Sequence, residues 1–183
     1  MALIAEQIDN YSFKSTDNLF FDANIWFFLY GPNRPGDPRI KIYSGAFKSI
    51  LSAHSRILTD ILVVSEFINR YARLRHQLLL RQRSDVPRDF KQFRRTSFFK
   101  TIARDIAADT RKILGNCTRV ESDFTTVDAE SLIAGYEAGD SDFNDLMLVE
   151  LCRARGFKLV TDDGDFSDKH ITILTANKKL LKP

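Results

Sequence analysis

The sequence predicts an α/β domain in which a central parallel sheet is covered by helices on both faces. Short apolar runs alternate with longer segments of helical periodicity, the pattern of parallel strands joined by crossover helices. The runs lack the polar alternation of a half-exposed sheet, as strands buried on both faces require. At 183 residues the chain fits one domain, and the expected unit spans 1–183.

Asn18 to Asp22 reads as a short buried strand, Leu-Phe-Phe ending in an acid, followed by an apolar helix or turn from Asn24 to Tyr30. Residues 31–38 hold three of the five prolines and two of the eight glycines, which marks a loop. Ser44 to Ile57 reads as an amphipathic helix, with Phe47, Ile50, Leu51 and Leu58 at helical spacing. Ile61 to Val64 is an uninterrupted apolar, β-branched run and is expected to form the second strand. Ser65 then opens a helix to about Arg81, with Glu66 in its first turn.

Pro87 marks a break at Ser84–Arg88, and a long helix is expected from about Asp89 to Leu114, stopping at Gly115-Asn116. Thr125 to Glu137 reads as a helix with Thr125 and Asp128 at capping-box spacing, broken by Gly139-Asp140-Ser141. Phe143 to Arg155 is the next helix, ended by Gly156. Lys158 to Thr161 is a strand, Asp162 to Asp165 a loop, and Ile171 to Leu174 a last strand.

Composition excludes several classes. Hydrophobic content is 44% and charged content 28%, so the chain can build a core and is not of disordered type. No apolar run approaches the ~20 residues that cross a bilayer. Glu6 and Asp9 replace a basic leader start, so no secretory signal is expected. Two isolated cysteines, Cys117 and Cys152, make neither a metal motif nor a disulfide framework, which suits a reducing cytoplasm. Between Arg70 and Lys112 there are 13 Lys and Arg against 4 acids; between Val120 and Asp168 there are 3 against 13. A basic middle and an acidic carboxyl-terminal third suit a place where a cation and a polyanion meet, or two oppositely charged helix faces.

Functional residues of an open parallel sheet gather beyond the carboxyl ends of its strands. Asp22 ends the first strand, Glu66 follows the second, and Asp162, Asp163 and Asp165 follow the Lys158–Thr161 strand. Asp142 and Asp145 share one face at a helix start, where backbone N–H groups favour anions. Singly, each acid also reads as a cap, a first-turn charge or a turn residue. Together, Asp22, Glu66, Asp145 and Asp163 deliver four negative charges to one rim, an arrangement that favours a divalent cation. His54, His76 and His170 are scattered and offer neither zinc spacing nor a Ser-His-Asp arrangement.

Leu19-Phe20-Phe21-Asp22-Ala23-Asn24, Val63-Val64-Ser65-Glu66, Asn144-Asp145-Leu146-Met147-Leu148 and Leu159 to Phe166 together resemble the motifs of PIN-domain ribonucleases, which include VapC-type toxins. The resemblance implies a flavodoxin-like, three-layer α/β/α sandwich and cleavage of single-stranded RNA at a Mg²⁺ or Mn²⁺ site. It makes Asp22, Glu66, Asp145 and Asp163 the catalytic acids, with Asp22, Asp145, Asp163 and Asp165 toward metal. Asn24 and Thr161 become supports, and Asp142 an additional acid. Asp142 and Asp162 compete with Asp145 and Asp163 for these roles. The resemblance also implies an antitoxin protein as a partner and a homodimer.

The basic middle supplies Arg70, Arg73, Arg81, Arg94 and Arg95 for RNA contact, interleaved with Tyr71, Phe90, Phe93, Phe98 and Phe99 for base stacking. The same residues also read as core aromatics with a solvated arginine face. A haloacid-dehalogenase-type phosphatase wants a second Asp where Asn24 stands, and a receiver domain wants a Lys after a late strand. A PIN-like scaffold that binds RNA or protein without cutting is the remaining alternative.

Overall fold

The structure is a computed structural model that describes residues 4–32, 36–139, 141–166 and 170–181. Its centre is a six-stranded, all-parallel sheet: β1 (Ile4–Gln7), β2 (Asn18–Phe21), β3 (Arg56–Thr59), β4 (Thr118–Arg119), β5 (Lys158–Val160) and β6 (Thr172–Thr175). The strand order is β1-β6-β5-β2-β3-β4. Helices α1 (Ala23–Tyr30), α2 (Pro38–Ser52), α3 (Ile61–Gln82), α4 (Phe90–Phe93), α5 (Ser97–Asn116), α6 (Ala129–Glu137) and α7 (Phe143–Arg155) complete a three-layer α/β/α sandwich. Among the described residues, no helix is long and apolar enough to cross a membrane.

Leu19, Phe20 and Phe21 of β2 are fully buried, which is why the strand carries no polar residue between Asn18 and Asp22. Trp26 packs on Phe21 at 5.0 Å between ring centres, and Phe27 meets Phe67 and Tyr71 of α3 edge-on, both at 6.1 Å. Truncating a buried ring such as Phe20 costs about 3–5 kcal/mol. At the start of β2, buried Asp17 accepts from the Lys14 amide, the Tyr11 hydroxyl and the Lys158 ammonium. Burial pushes its carboxyl up, but these donors outweigh burial and hold it below the usual range.

The chain leaves β2 toward β3 and β4 on one side, then returns to place β5 and β6 on the other. The crevice beyond the carboxyl ends of β2 and β5 is therefore the switch point where open α/β sheets bind ligands. Register sets its contents. Phe21 pairs with Val160, and the Asp22 amide donates to Val160 O at 3.1 Å, so Asp22 and Thr161 emerge side by side.

Several expected boundaries move. Ile61–Val64 is not a strand but the first turn of α3, and the second strand of the expected order is Arg56–Thr59. Asp60 explains the shift: its side chain accepts from the Val63 amide at 3.0 Å and caps the helix directly after β3. Capping and packing override the β preference of Val63 and Val64. The helix expected at Ser44–Ile57 begins earlier, with Pro38 in its first turn behind the Asp37 cap, and ends at Ser52. The long Asp89–Leu114 helix divides, because Thr96 caps α5 through the Phe99 amide. Asp128, not Thr125, caps α6. Gly156 closes α7 at φ +64°, as expected. Edge strands β1 and β4 were not among the expected elements. Loop residues 33–35 and Asp140 lie outside the described residues.

Candidate active site

Asp22 occupies the N-cap position of α1, yet its side chain makes no cap bond. Asp22 Oδ2 instead accepts from the Thr161 hydroxyl at 2.6 Å and the Asn24 amide at 2.5 Å. Asn24 Nδ2 also lies 3.0 Å from Thr161 Oγ1, while Asn24 Oδ1 accepts from the Asp162 amide at 3.2 Å. The Asp163 amide donates to Thr161 Oγ1 at 3.1 Å. Asn24 and Thr161 thus bind the end of β2 to the loop after β5 and fix the Asp22 carboxylate. Burial pushes that carboxyl up to about 6; the Thr161 hydrogen bond opposes the rise and the Asp163 charge adds to it.

Glu66 lies beyond the first turn of α3, on the face toward the crevice, and not in the first turn as expected. It is pushed up to about 7, first by burial and then by the Asp22 charge, with Arg70 opposing. Asp145, in the first turn of α7, is pushed up to about 8 by burial, then by the charges of Asp142, Asp22, Asp163 and Glu66. The structure therefore brings Asp22, Glu66, Asp145 and Asp163 within range of one another's charge. Asp22, Glu66 and Asp145, raised by burial and then by like charge, stand in contrast to Asp17, whose neighbours lower it.

The surrounding acids have separate tasks. Asp142 caps α7 by accepting from the Asp145 amide at 3.0 Å. Asp162 is turned away: its carboxylate accepts from the Tyr43 hydroxyl at 2.8 Å and pairs with Arg39 at 3.3 Å. Asp165 follows in an exposed turn, its amide donating to Asp163 Oδ1 at 3.1 Å. A hard divalent cation takes oxygen ligands, and the donor set here is carboxylates without thiol or imidazole. Among the described residues, no three acid, histidine or cysteine side chains converge tightly enough to hold an ion as they stand. The chemistry of the donors fits Mg²⁺ or Mn²⁺; their present spacing senses charge without forming a closed cage.

The arginines divide between surfaces. Arg70 and Arg73 line a groove of about 690 Å³ that includes Glu66 at its acidic end and runs along α3. Arg94 lines a different depression on α5, and Arg81 and Arg95 are exposed elsewhere. The aromatics do not stand free between them. Tyr71 and Phe93 are buried, and Arg73 covers the Phe90 ring at 5.1 Å. Their role is core and cation–π packing. Asn69, Gln77 and Asn144, which sequence reasoning missed, also line the α3 groove. Helical spacing from Glu66 was the available signal, since Asn69, Arg70, Arg73 and Gln77 follow at steps that keep one face.

The PIN-domain family model matches residues 19–171, and the chain belongs to the PIN-domain family. Among solved structures, the chain is similar to one from the crystal structure of VapBC2 from Rickettsia felis bound to a DNA fragment from their promoter. The TM-score is 0.51 at 12% identity, over 86% of this chain and 98% of that one. At that identity the likeness is one of fold. Comparison with curated proteins gave no significant match.

Proposed function

We propose that the chain is a metal-dependent endoribonuclease that hydrolyses phosphodiester bonds of single-stranded RNA, working as one PIN-like domain in the cytoplasm. The observation that carries this reading is the set of four acids, Asp22, Glu66, Asp145 and Asp163, each tied to the others by charge at the switch point of a PIN fold. Asp22, Asp145 and Asp163 would hold Mg²⁺ or Mn²⁺, with Asp165 beside them. Such an ion, when bound, lowers the pKa of water and neutralises charge on a phosphate.

The chain's own residues supply the remaining work. Asn24 and Thr161 hold the Asp22 carboxylate in one orientation, so no rotamer search precedes ligand binding. Glu66, poised near neutrality, is suited to orient a water and accept its proton. Arg70 and Arg73 offset the repulsion between the acidic rim and a polyanionic substrate. Fold likeness to a VapBC2 chain supports a toxin role with an antitoxin protein as partner.

One observation favours a second reading, a catalytically silent scaffold that binds RNA or protein: as placed, the acids do not converge to shared-ligand distance. Labelled single-stranded RNA incubated with Mn²⁺, Mg²⁺ or EDTA separates the two. The nuclease cuts only with metal and loses cutting in Asp22→Asn. Binding without cutting in both proteins supports the scaffold.

A further inference from the structure

The groove along α3 is more than a patch of positive charge. Its volume of about 690 Å³ falls in the ~300–1,000 Å³ range of ligand sites. Glu66, Arg70, Arg73 and Gln77 climb one face of the helix, and at ~1.5 Å per residue the stretch from Glu66 to Gln77 runs about 16 Å. The floor is apolar, from Phe27, Leu62 and Leu74. Asn144 closes the groove from the first turn of α7, between Asp142 and Asp145, so the groove is continuous with the acidic site.

Its arginines are free of ion pairs, and its side-chain amides make one hydrogen bond, among the described residues. Arg39, Arg83 and Arg155 pair with carboxylates, whereas neither Arg70 nor Arg73 forms an ion pair among the described residues. The Arg70 guanidinium carbon sits over the Phe27 ring at 4.8 Å from its centre, a cation–π contact that holds the charge at the groove. The side-chain amides of Gln77 and Asn144 have no hydrogen-bond partner among the described residues, and Asn69 makes one 3.3 Å contact, to Ser65. Amides carry donor and acceptor together, which is what an exposed base edge requires, and single-stranded RNA presents such edges.

The geometry points to a base-reading channel: Asn69, Gln77 and Asn144 read the edges of nucleobases next to the acidic site, while Arg70 and Arg73 hold the intervening phosphates. This inference rests on the reading of the site as one that takes single-stranded RNA. It adds the specificity-determining residues, and none of the three amides belongs to the acidic set.

Fluorescence anisotropy of labelled adenine, uracil, cytosine and guanine homo-oligoribonucleotides, in EDTA at low salt, tests it with the full chain. Wild type is expected to rank the four bases, and Asn69→Ala/Gln77→Ala to narrow the spread by about tenfold, the discrimination of one good base-edge contact. Arg70→Ala/Arg73→Ala is expected to weaken all four alike and reduce the slope of log affinity against log salt by about 1.4, for two phosphates on a single strand. Both positions of the amide pair are exposed, so an unchanged melting temperature confirms that the variant folds. An amide variant with the wild-type spread, or a wild type that binds no oligomer or does not rank the bases, overturns the channel. Because no metal is present, a narrowed spread with no cleavage elsewhere keeps the channel and removes the nuclease. Cleavage with an unchanged spread does the reverse.

Discussion

The Thr161 hydroxyl donates to Asp22 Oδ2 at 2.6 Å across the β2–β5 crevice, and both residues are buried. Thr161 Oγ1 accepts in turn from the Asp163 amide, so one hydroxyl links two of the candidate acids. Thr161→Val keeps the shape and removes both functions. Leaving a buried carboxylate oxygen short of a donor costs about 1–3 kcal/mol. The variant should melt lower than wild type and titrate Mn²⁺ more weakly, read by calorimetry; unchanged Mn²⁺ binding would argue against the clamp.

Asp22 sits among like charges, so its ionised form destabilises the metal-free fold. Asp22→Asn keeps an acceptor for Thr161 and removes the charge. Thermal melting in EDTA at neutral pH should show the variant equal to or more stable than wild type. In wild type, Mn²⁺ at about 100 times its dissociation constant should add roughly 2.7 kcal/mol. A melting curve indifferent to Mn²⁺ and Mg²⁺ would count against the metal site.

Stability should fall as pH rises. Asp22, Glu66 and Asp145 ionise near 3.8 to 4.5 when unperturbed, and in the fold are pushed up to about 6, 7 and 8. Between these limits the folded chain holds more protons than the unfolded one, so the unfolding free energy decreases with pH. The metal-free melting temperature should be highest near the bottom of this window and decline until about pH 8. Asp145→Asn should flatten the upper part of the decline. A melting temperature that climbs through the window would exclude the raised set.

Neighbouring aspartates should separate by role. Asp162 serves Tyr43 and Arg39, whereas Asp163 faces the acidic group. Asp162→Ala takes from the buried Tyr43 hydroxyl its 2.8 Å acceptor and leaves it the longer 3.3 Å contact to Thr161 O, and is expected to cost about 1 kcal/mol of stability. Asp163→Ala should leave melting intact or raised and weaken Mn²⁺ binding. Equal behaviour of the two variants in both assays would refute the division.

Asp60 caps α3, the helix that carries Glu66 and the groove, through the Val63 amide. Asp60→Ala should destabilise the protein by about 0.5–2 kcal/mol. Hydrogen exchange should report the loss in the first turn of α3.

The acids were legible in the sequence because an apolar run ending in a carboxylate is a local signal. Leu19-Phe20-Phe21-Asp22 and Leu159-Val160-Thr161-Asp162-Asp163 show it directly, and periodicity located α7 with its Gly156 stop. Local signals failed where two preferences compete. Val63 and Val64 favour a strand, and only the Asp60 cap and the packing of Val63 into the core decide for helix. β1 and β4 carry little hydrophobic pattern because they are edge strands, and their pairing with β6 and β3 creates them.

By itself, then, the sequence determined the alternation of elements, the all-oxygen character of the site and the basic stretch, since each depends on residues adjacent along the chain. The tertiary structure decided which of two consecutive aspartates faces the acids, that two of the five expected stacking aromatics are buried and the other three pack against the core, and that Arg70 and Arg73, not Arg94, share a groove with Glu66. These follow from strand register and helix rotation, which place residues 22 and 161 in contact through parallel pairing that no local pattern encodes.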